Sequence, residues 1–166
     1  MNRRDPLLLV RVADSSGGTR PPRKLLREVL DLAYRERGKR PAALDLALLD
    51  DAAIRALNRR HRSRDRATDV LAFADGEEEP DGRLRLGDVA ISAETARREA
   101  GARGVSFRDE LVFYALHGLL HLLGMDDAAA DGRKGMHAAQ ADAMRKCGLN
   151  AGAALLGDAL APDEGD

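Results

Sequence analysis

The chain has 166 residues, 44% hydrophobic and 33% charged, a composition typical of one globular domain with a single core. Its formal net charge of −1 gives no overall attraction to polyanions, so any nucleic-acid surface must be local. The single cysteine, Cys147, excludes an internal disulfide and fits a reducing compartment. The N-terminal apolar run, interrupted by Arg11, is too short for a signal peptide or a membrane span. We therefore expect a cytoplasmic protein.

Strands and helices are expected to alternate in the first half of the chain. The predicted elements are a strand over 6–13, a helix over 23–37, a strand over 42–49 and a helix over 51–60. The segment 42–49 alternates only partly between apolar and polar residues, which is compatible with a strand or a helix, and we interpret it as a strand. Asp50 is a suitable N-cap for the helix that follows it.

The second half begins with a predicted hairpin and continues with three helices. Strands over 68–74 and 83–91 flank an acidic turn, 76–82, and the helices cover 92–100, 107–123 and 128–146. These elements predict an α+β fold in a single domain, 1–150. We expect a small mixed four-stranded sheet packed with about five helices, one of them a central helix that carries a metal site. Residues 151–166 are rich in Ala and Gly and predict a loose acidic tail.

The segment HGLLHLLGMDD, residues 117–127, is the strongest chemical signal in the chain. His117 and His121 are four positions apart on a predicted helix, so both imidazoles lie on one face. Gly124 can end that helix in a left-handed conformation and bring Asp127 back towards the histidines. Two imidazoles and one carboxylate form a known catalytic zinc set with one position left open. The alternative is a pair of core histidines that bind backbone carbonyls.

Gly118 occupies the position where a zinc peptidase has its general base. In that class of enzyme a glutamate directly follows the first histidine. The glycine keeps space free beside the ion, but it provides no carboxylate. The residues therefore favour a metal site that lacks the usual peptidase base.

Three blocks of the chain resemble the YbeY endoribonucleases, a family of bacterial rRNA maturation factors. The family signature H-G-x-L-H-L-x-G-[YF]-D-H is matched over 117–127, with Met125 for the aromatic residue and Asp127 for the third metal-binding histidine. The block LNRRHRSRDRATDVLAF, 57–73, is similar to L-N-x-x-Y-R-x-x-D-x-x-T-D-V-L-S-F. GDVAIS, 87–92, is similar to G-D-I-x-I-S. The blocks have the family's order and span about half of the chain.

This resemblance implies a metal-dependent, single-strand-specific endoribonuclease. It implies action in rRNA processing, chiefly at the 3′ end of 16S rRNA, and in ribosome quality control, with single-stranded RNA and the small ribosomal subunit as partners. His117, His121 and Asp127 would bind one Zn²⁺ or another divalent ion. Arg62 would be catalytic, because it matches the arginine that the family has in its active-site cleft, where it could hold the scissile phosphate. The attacking group could be metal-activated water or the ribose 2′-OH.

Two other functional classes remain open at this point: a zinc metallopeptidase, and a non-catalytic ribosome-assembly factor with a structural metal. An aspartate in place of the third histidine donates more charge to the ion. It therefore predicts a higher pH optimum and a broader choice of metal, towards Mn²⁺.

Several other polar residues receive plainer interpretations. Six arginines fall within 55–66, where they either bind RNA phosphates or form a solvated helix end and loop. Asp69 and Asp88 are interpreted as structural residues, Asp126 as a turn residue or one that orients an imidazole, His137 as a histidine that does not bind metal, and Glu110 as a surface carboxylate.

Overall fold

Four strands pair into one mixed sheet in the computed structural model, which describes residues 5–18 and 20–150. The strands are β1 (Leu8–Asp14), β2 (Ala42–Leu49), β3 (Val70–Ala74) and β4 (Leu84–Ser92). Their order is β1-β2-β4-β3; β2 runs parallel to both β1 and β4, whereas β3 and β4 form the predicted antiparallel hairpin. The hairpin leaves β3 at the edge of the sheet.

The described residues contain five helices. They are α1 (Arg23–Arg35), α2 (Asp51–Arg62), α3 (Ala93–Arg103), α4 (Phe107–Leu122) and α5 (Ala130–Lys146). The side chains of Asp50, Ser92 and Ser106 accept the backbone N–H three residues further on, so each provides the N-cap that its helix requires. The predicted fold class is confirmed: an α+β domain with a mixed four-stranded sheet and five helices. The predicted tail, 151–166, lies outside the described residues.

Helix α4 is the centre of the molecule. Every residue from 109 to 120 is buried, because α4 packs against β3 and β4 on one side and against α1, α3 and α5 on the others. A helix that is apolar on nearly all sides is stable only inside a core. The histidines in its last turns are therefore held by a helix that is buried over twelve consecutive residues. Among the described residues, no helix is both long and apolar enough to cross a membrane.

The opposite face of the sheet is less covered and more polar. Helix α2 covers part of it, and Ile54, Leu71 and Ala90 form a small second core there. Further along this face, Asp45 accepts hydrogen bonds from Arg11 and Arg85 on the neighbouring strands. One face of the sheet thus supports the central helix, and the other carries ion pairs.

Candidate metal centre

The C-terminal end of α4 presents two imidazoles to the same space. His117 and His121 are one turn apart, and their Nε2 atoms lie 3.0 Å from each other. The chain then turns at Gly124, whose φ of +90° is the left-handed conformation predicted at this position. This turn brings the next segment back along the end of the helix.

Asp127 is the carboxylate that this returning segment brings to the histidines. Its Oδ2 lies 3.4 Å from Nε2 of His117, and its Oδ1 lies 3.5 Å from Nε2 of His121. Among the described residues, these three form the only group of His, Cys or acidic side chains that could hold a metal ion. His137, whose ring packs against Phe113 on the neighbouring helix, is not part of the group.

The distances within this group fit a small divalent ion. Four ligands placed tetrahedrally at about 2.0–2.1 Å from a zinc ion are about 3.3 Å from one another. The two imidazole nitrogens are 3.0 Å apart, and each lies 3.4 or 3.5 Å from a different oxygen of Asp127, so these contacts lie around this value. When one ligand atom is counted per residue, all three lie within 4.8 Å of one another. With three protein ligands, a fourth position would remain for water or substrate, as in catalytic rather than structural zinc sites.

The protonation states also suit a metal. The His117 imidazole lowers the pKa of Asp127 to about 2, so this carboxylate is ionised at neutral pH. Burial, and then the neighbouring His117, lower the pKa of His121 below its usual 6.5. A metal ligand must be deprotonated. Asp127 and His121 are mainly deprotonated near pH 7, so few protons need to leave them when an ion binds.

Residues 125–129, the Asp127 segment, are held by contacts that the sequence alone does not reveal. Asp126, which is exposed, accepts the backbone N–H of Ala128 through Oδ1 at 2.8 Å and so acts as a turn residue. Gly132 in the first turn of α5 lies directly against this segment, since a Cβ atom there would be 2.0 Å from the carbonyl oxygen of Asp126. Gly132 therefore sets how closely α5 and the Asp127 segment approach, a role with no signal in the sequence pattern.

Gly118 is required for packing rather than for space around an ion. A Cβ at this position would lie 2.4 Å from Cγ1 of Val89 on β4, so the residue faces the sheet. The expectation that a larger residue would crowd the ion is not supported, because this face of α4 is occupied by the strand. The close contact also leaves no room for a side chain that could serve as a peptidase base.

Arg62 is not part of the candidate metal-binding group. It is the last residue of α2, and its Nη2 donates a hydrogen bond of 2.8 Å to the carbonyl oxygen of Ala72 on β3. Its guanidinium carbon lies 5.6 Å from the centre of the Phe73 ring, within the range of a cation–π contact. The guanidinium is thus held at the edge of the strand that packs against α4.

The prediction that Glu110 is a surface carboxylate is wrong. Its side chain is fully buried, and Oε1 accepts a hydrogen bond from Arg103 on α3. Burial raises its pKa, because the charged form loses water, and the nearby arginine opposes this effect. The error arises because a charged side chain is normally exposed unless it has a partner of opposite charge. That partner, Arg103, lies on another helix and cannot be identified from the sequence.

Fold and site together define a small α+β protein whose central helix carries two histidines next to an aspartate. A family model described as Endoribonuclease YbeY matches residues 15–148, and the chain belongs to this family of endoribonucleases. The resemblance predicted from the three sequence blocks is therefore confirmed, and membership supports an endoribonuclease role.

Individual relatives agree with the family match. Endoribonuclease YbeY of Moorella thermoacetica is 47% identical over 116 residues, which cover 65% of this chain and 74% of the relative. Endoribonuclease YbeY of Desulforamulus reducens is 38% identical over 133 residues, which cover 76% and 87%. The solution structure of TM1509 from Thermotoga maritima aligns with a TM-score of 0.57 at 21% identity and covers 95% of this chain and all of that one. At this identity the alignment supports the fold alone.

Proposed function

We propose that this protein is a metal-dependent endoribonuclease that cuts single-stranded RNA during rRNA processing and ribosome quality control. The proposed substrates are rRNA precursors, chiefly the 3′ end of 16S rRNA, reached through the small ribosomal subunit. The observation that carries the metal dependence is the group of His117, His121 and Asp127 at the end of a buried helix, whose candidate ligand atoms all lie within 4.8 Å of one another.

We propose that these three residues hold one Zn²⁺ or a similar divalent ion. When bound, such an ion supplies Lewis acidity, which polarises a phosphoryl oxygen and makes water more acidic. The protein's own contribution is positional. The packed helix fixes the two imidazoles, the returning segment adds a negative charge, and the open side of the group admits the phosphodiester.

Arg62 is the residue that we propose to bind the scissile phosphate. Its contacts with the Ala72 carbonyl and the Phe73 ring hold the guanidinium in place, and its remaining N–H groups can donate to phosphate oxygens. A donor that is already positioned stabilises developing negative charge without reorganisation during the reaction. The reason for proposing a catalytic role rather than general attraction is that Arg62 matches the arginine of the family's active-site cleft, and its contacts with β3 hold it in place.

The other arginines of 55–66 are not equivalent to Arg62. Arg55 forms a salt bridge with Asp65, with its Nε 2.9 Å from the carboxylate, so its charge is partly balanced within the protein. Arg59 and Arg60 lie exposed on the last turns of α2. We propose that these exposed residues add general affinity for RNA, which salt should weaken.

The two alternatives are less well supported. A zinc peptidase needs a base after its first metal-binding histidine, and Gly118 at that position packs against Val89. A non-catalytic factor with a structural metal would need a closed site, whereas three ligands leave one position open. Membership in an endoribonuclease family also favours RNA cleavage over both.

Metal analysis combined with RNA cleavage tests the proposal directly. The purified protein should carry about one zinc-like ion per chain and should cut a single-stranded RNA but not casein, and His117→Ala should lose both metal and cleavage. The matched control is His137→Ala, which removes a buried histidine from α5 outside the ligand group. Wild-type protein without bound metal, or casein cleavage without RNA cleavage, would refute the proposed function.

A further inference from the structure

The C-terminal end of α2 places an aromatic ring and a guanidinium group side by side at the edge of the sheet. His61 and Arg62, the last two residues of this helix, both contact the ring of Phe73 on β3. The ring centroids of His61 and Phe73 are 5.2 Å apart with their planes at 60°, and the guanidinium carbon of Arg62 lies 5.6 Å from the Phe73 centroid. We call these three side chains the α2 aromatic cluster.

Phe73 anchors this cluster to the body of the protein. It is half-buried and packs against the small second core beneath α2. Its separations from the two α2 side chains lie within the ranges of an edge-to-face aromatic pair and a cation–π contact. The bond from Arg62 to the Ala72 carbonyl ties the guanidinium to the same strand. Both groups are therefore positioned before a ligand arrives, which reduces the entropy that binding costs.

His61 is exposed although Phe73 holds it, so its ring remains accessible to a ligand. The surroundings are positively charged, because Arg59, Arg60 and Arg62 are exposed on the same turns of α2. Aromatic rings among arginines suit a single-stranded nucleic acid, whose bases stack on the rings while its phosphates bind the guanidinium groups. An apolar protein partner would instead have to remove water from these charges, which is costly.

We propose that His61 is a base-stacking residue: an unpaired base of the RNA stacks on its ring while Arg62 binds an adjacent phosphate. This inference rests on the proposed RNA substrate and deepens it, because it names a residue that selects single strands. In an RNA duplex the bases are paired and stacked on one another, so their faces do not reach a protein side chain. Stacking also tolerates any base sequence, since every base has a π-face.

Equilibrium binding in the presence of a chelator tests the proposal without metal. The ligands are a single-stranded RNA, an abasic strand of the same length, and a duplex of the same sequence. His61→Ala should weaken binding of the single strand roughly 5- to 150-fold, the range for the loss of one stacked base. The same variant should leave binding of the abasic strand and the duplex unchanged. His61→Phe keeps a ring and should stay within a few-fold of wild type.

Arg60→Ala is the matched control, because it changes the preceding exposed residue of the same helix. It should weaken binding of all three RNAs by a similar factor, since phosphates are common to them. The melting temperature of His61→Ala should change by no more than about 2 °C, because the side chain is exposed, so a loss of affinity would not reflect unfolding.

Three results would overturn the stacking role of His61. They are an unchanged affinity of His61→Ala for the single strand, an equal loss for all three RNAs, and a loss in His61→Phe as large as that in His61→Ala. A wild-type protein that binds none of the RNAs would overturn it as well. Because binding is measured without metal, the outcome is separate from that of the proposed function: binding through His61 without any RNA cleavage would refute the enzyme and retain this inference.

Discussion

The contact between Gly132 and the Asp127 segment allows a sharp test with a matched control on the same helix. In Gly132→Ala the new Cβ would lie 2.0 Å from the carbonyl oxygen of Asp126 and 3.8 Å from Cα of Asp127. A carbon normally comes no closer to a carbonyl oxygen than about 3.3 Å, so the segment must move by roughly 1 Å. Metal–ligand distances tolerate about 0.2 Å, and a shift of this size should therefore remove Asp127 from the ligand set.

The expected result is a loss of zinc affinity of roughly 10- to 100-fold, the range found when ligand-positioning contacts are removed. Stability of the metal-free protein should fall by about 1 kcal/mol or more, because overpacking costs about 1–3 kcal/mol and exceeds the gain in helix propensity. For a domain of this size, that is a lowering of the melting temperature by about 2–4 °C or more. Chelator competition measures the affinity, and thermal unfolding of metal-free protein measures the stability.

Gly135→Ala is the control for this experiment. The residue lies three positions further along α5, and a Cβ there would contact nothing within 4 Å. The substitution should stabilise the helix by about 0.5–1 kcal/mol and leave zinc affinity unchanged. If Gly132→Ala also proves stabilising and keeps its affinity, the close approach does not hold Asp127 in place and the reasoning is refuted.

Three further predictions concern the ligands, the arginine and acidity. Asp127→Ala should lose zinc affinity roughly 10-fold or more, and Asp127→His should retain binding, whereas Asp126→Asn should have a milder effect; equal losses at 126 and 127 would contradict the ligand assignment. Arg62→Ala should keep metal content and melting temperature but cut RNA cleavage roughly 10²–10³-fold, about 2–4 kcal/mol. Arg60→Ala should cost far less and act mainly through salt-dependent binding; an unchanged rate in Arg62→Ala would remove that residue from the mechanism. Because burial lowers the pKa of His121 below 6.5, protons should displace zinc only below that pH; metal analysis showing release already near pH 7 would argue against this protonation state.

The fold could be predicted from the sequence because most of its signals are local. Three helix starts can be recognised from N-cap residues in the local sequence, namely Asp50, Ser92 and Ser106. The predicted strand at 42–49 has the bounds observed for β2. The candidate metal-binding group could be predicted for the same reason. A helical turn and a single turn at Gly124 bring together residues that span only eleven positions. In this chain, short-range geometry was sufficient to locate the candidate centre.

The remaining features depend on contacts between distant segments, which one sequence does not reveal. Glu110 is buried because Arg103 on another helix forms a salt bridge with it. In the sequence, Glu110 does not differ from an ordinary surface carboxylate. The periodicity of α4 could have raised the question, because Glu110 shares the face of the helix that carries the two histidines.

Two glycines, Gly118 and Gly132, allow close contacts between the elements that position the candidate metal-binding residues. Two of these residues lie on a helix and the third on a loop. His117 and His121 are placed by α4, and the depth of α4 against the sheet depends on Gly118 meeting Val89. Asp127 comes from a loop, which by itself would hold a ligand less precisely than a helix does. The contact of that loop with Gly132 compensates, because it fixes the loop against the first turn of α5. A glycine on each supporting element therefore controls one part of the candidate metal-binding group, which explains how side chains from a helix and a loop can meet within 4.8 Å of one another.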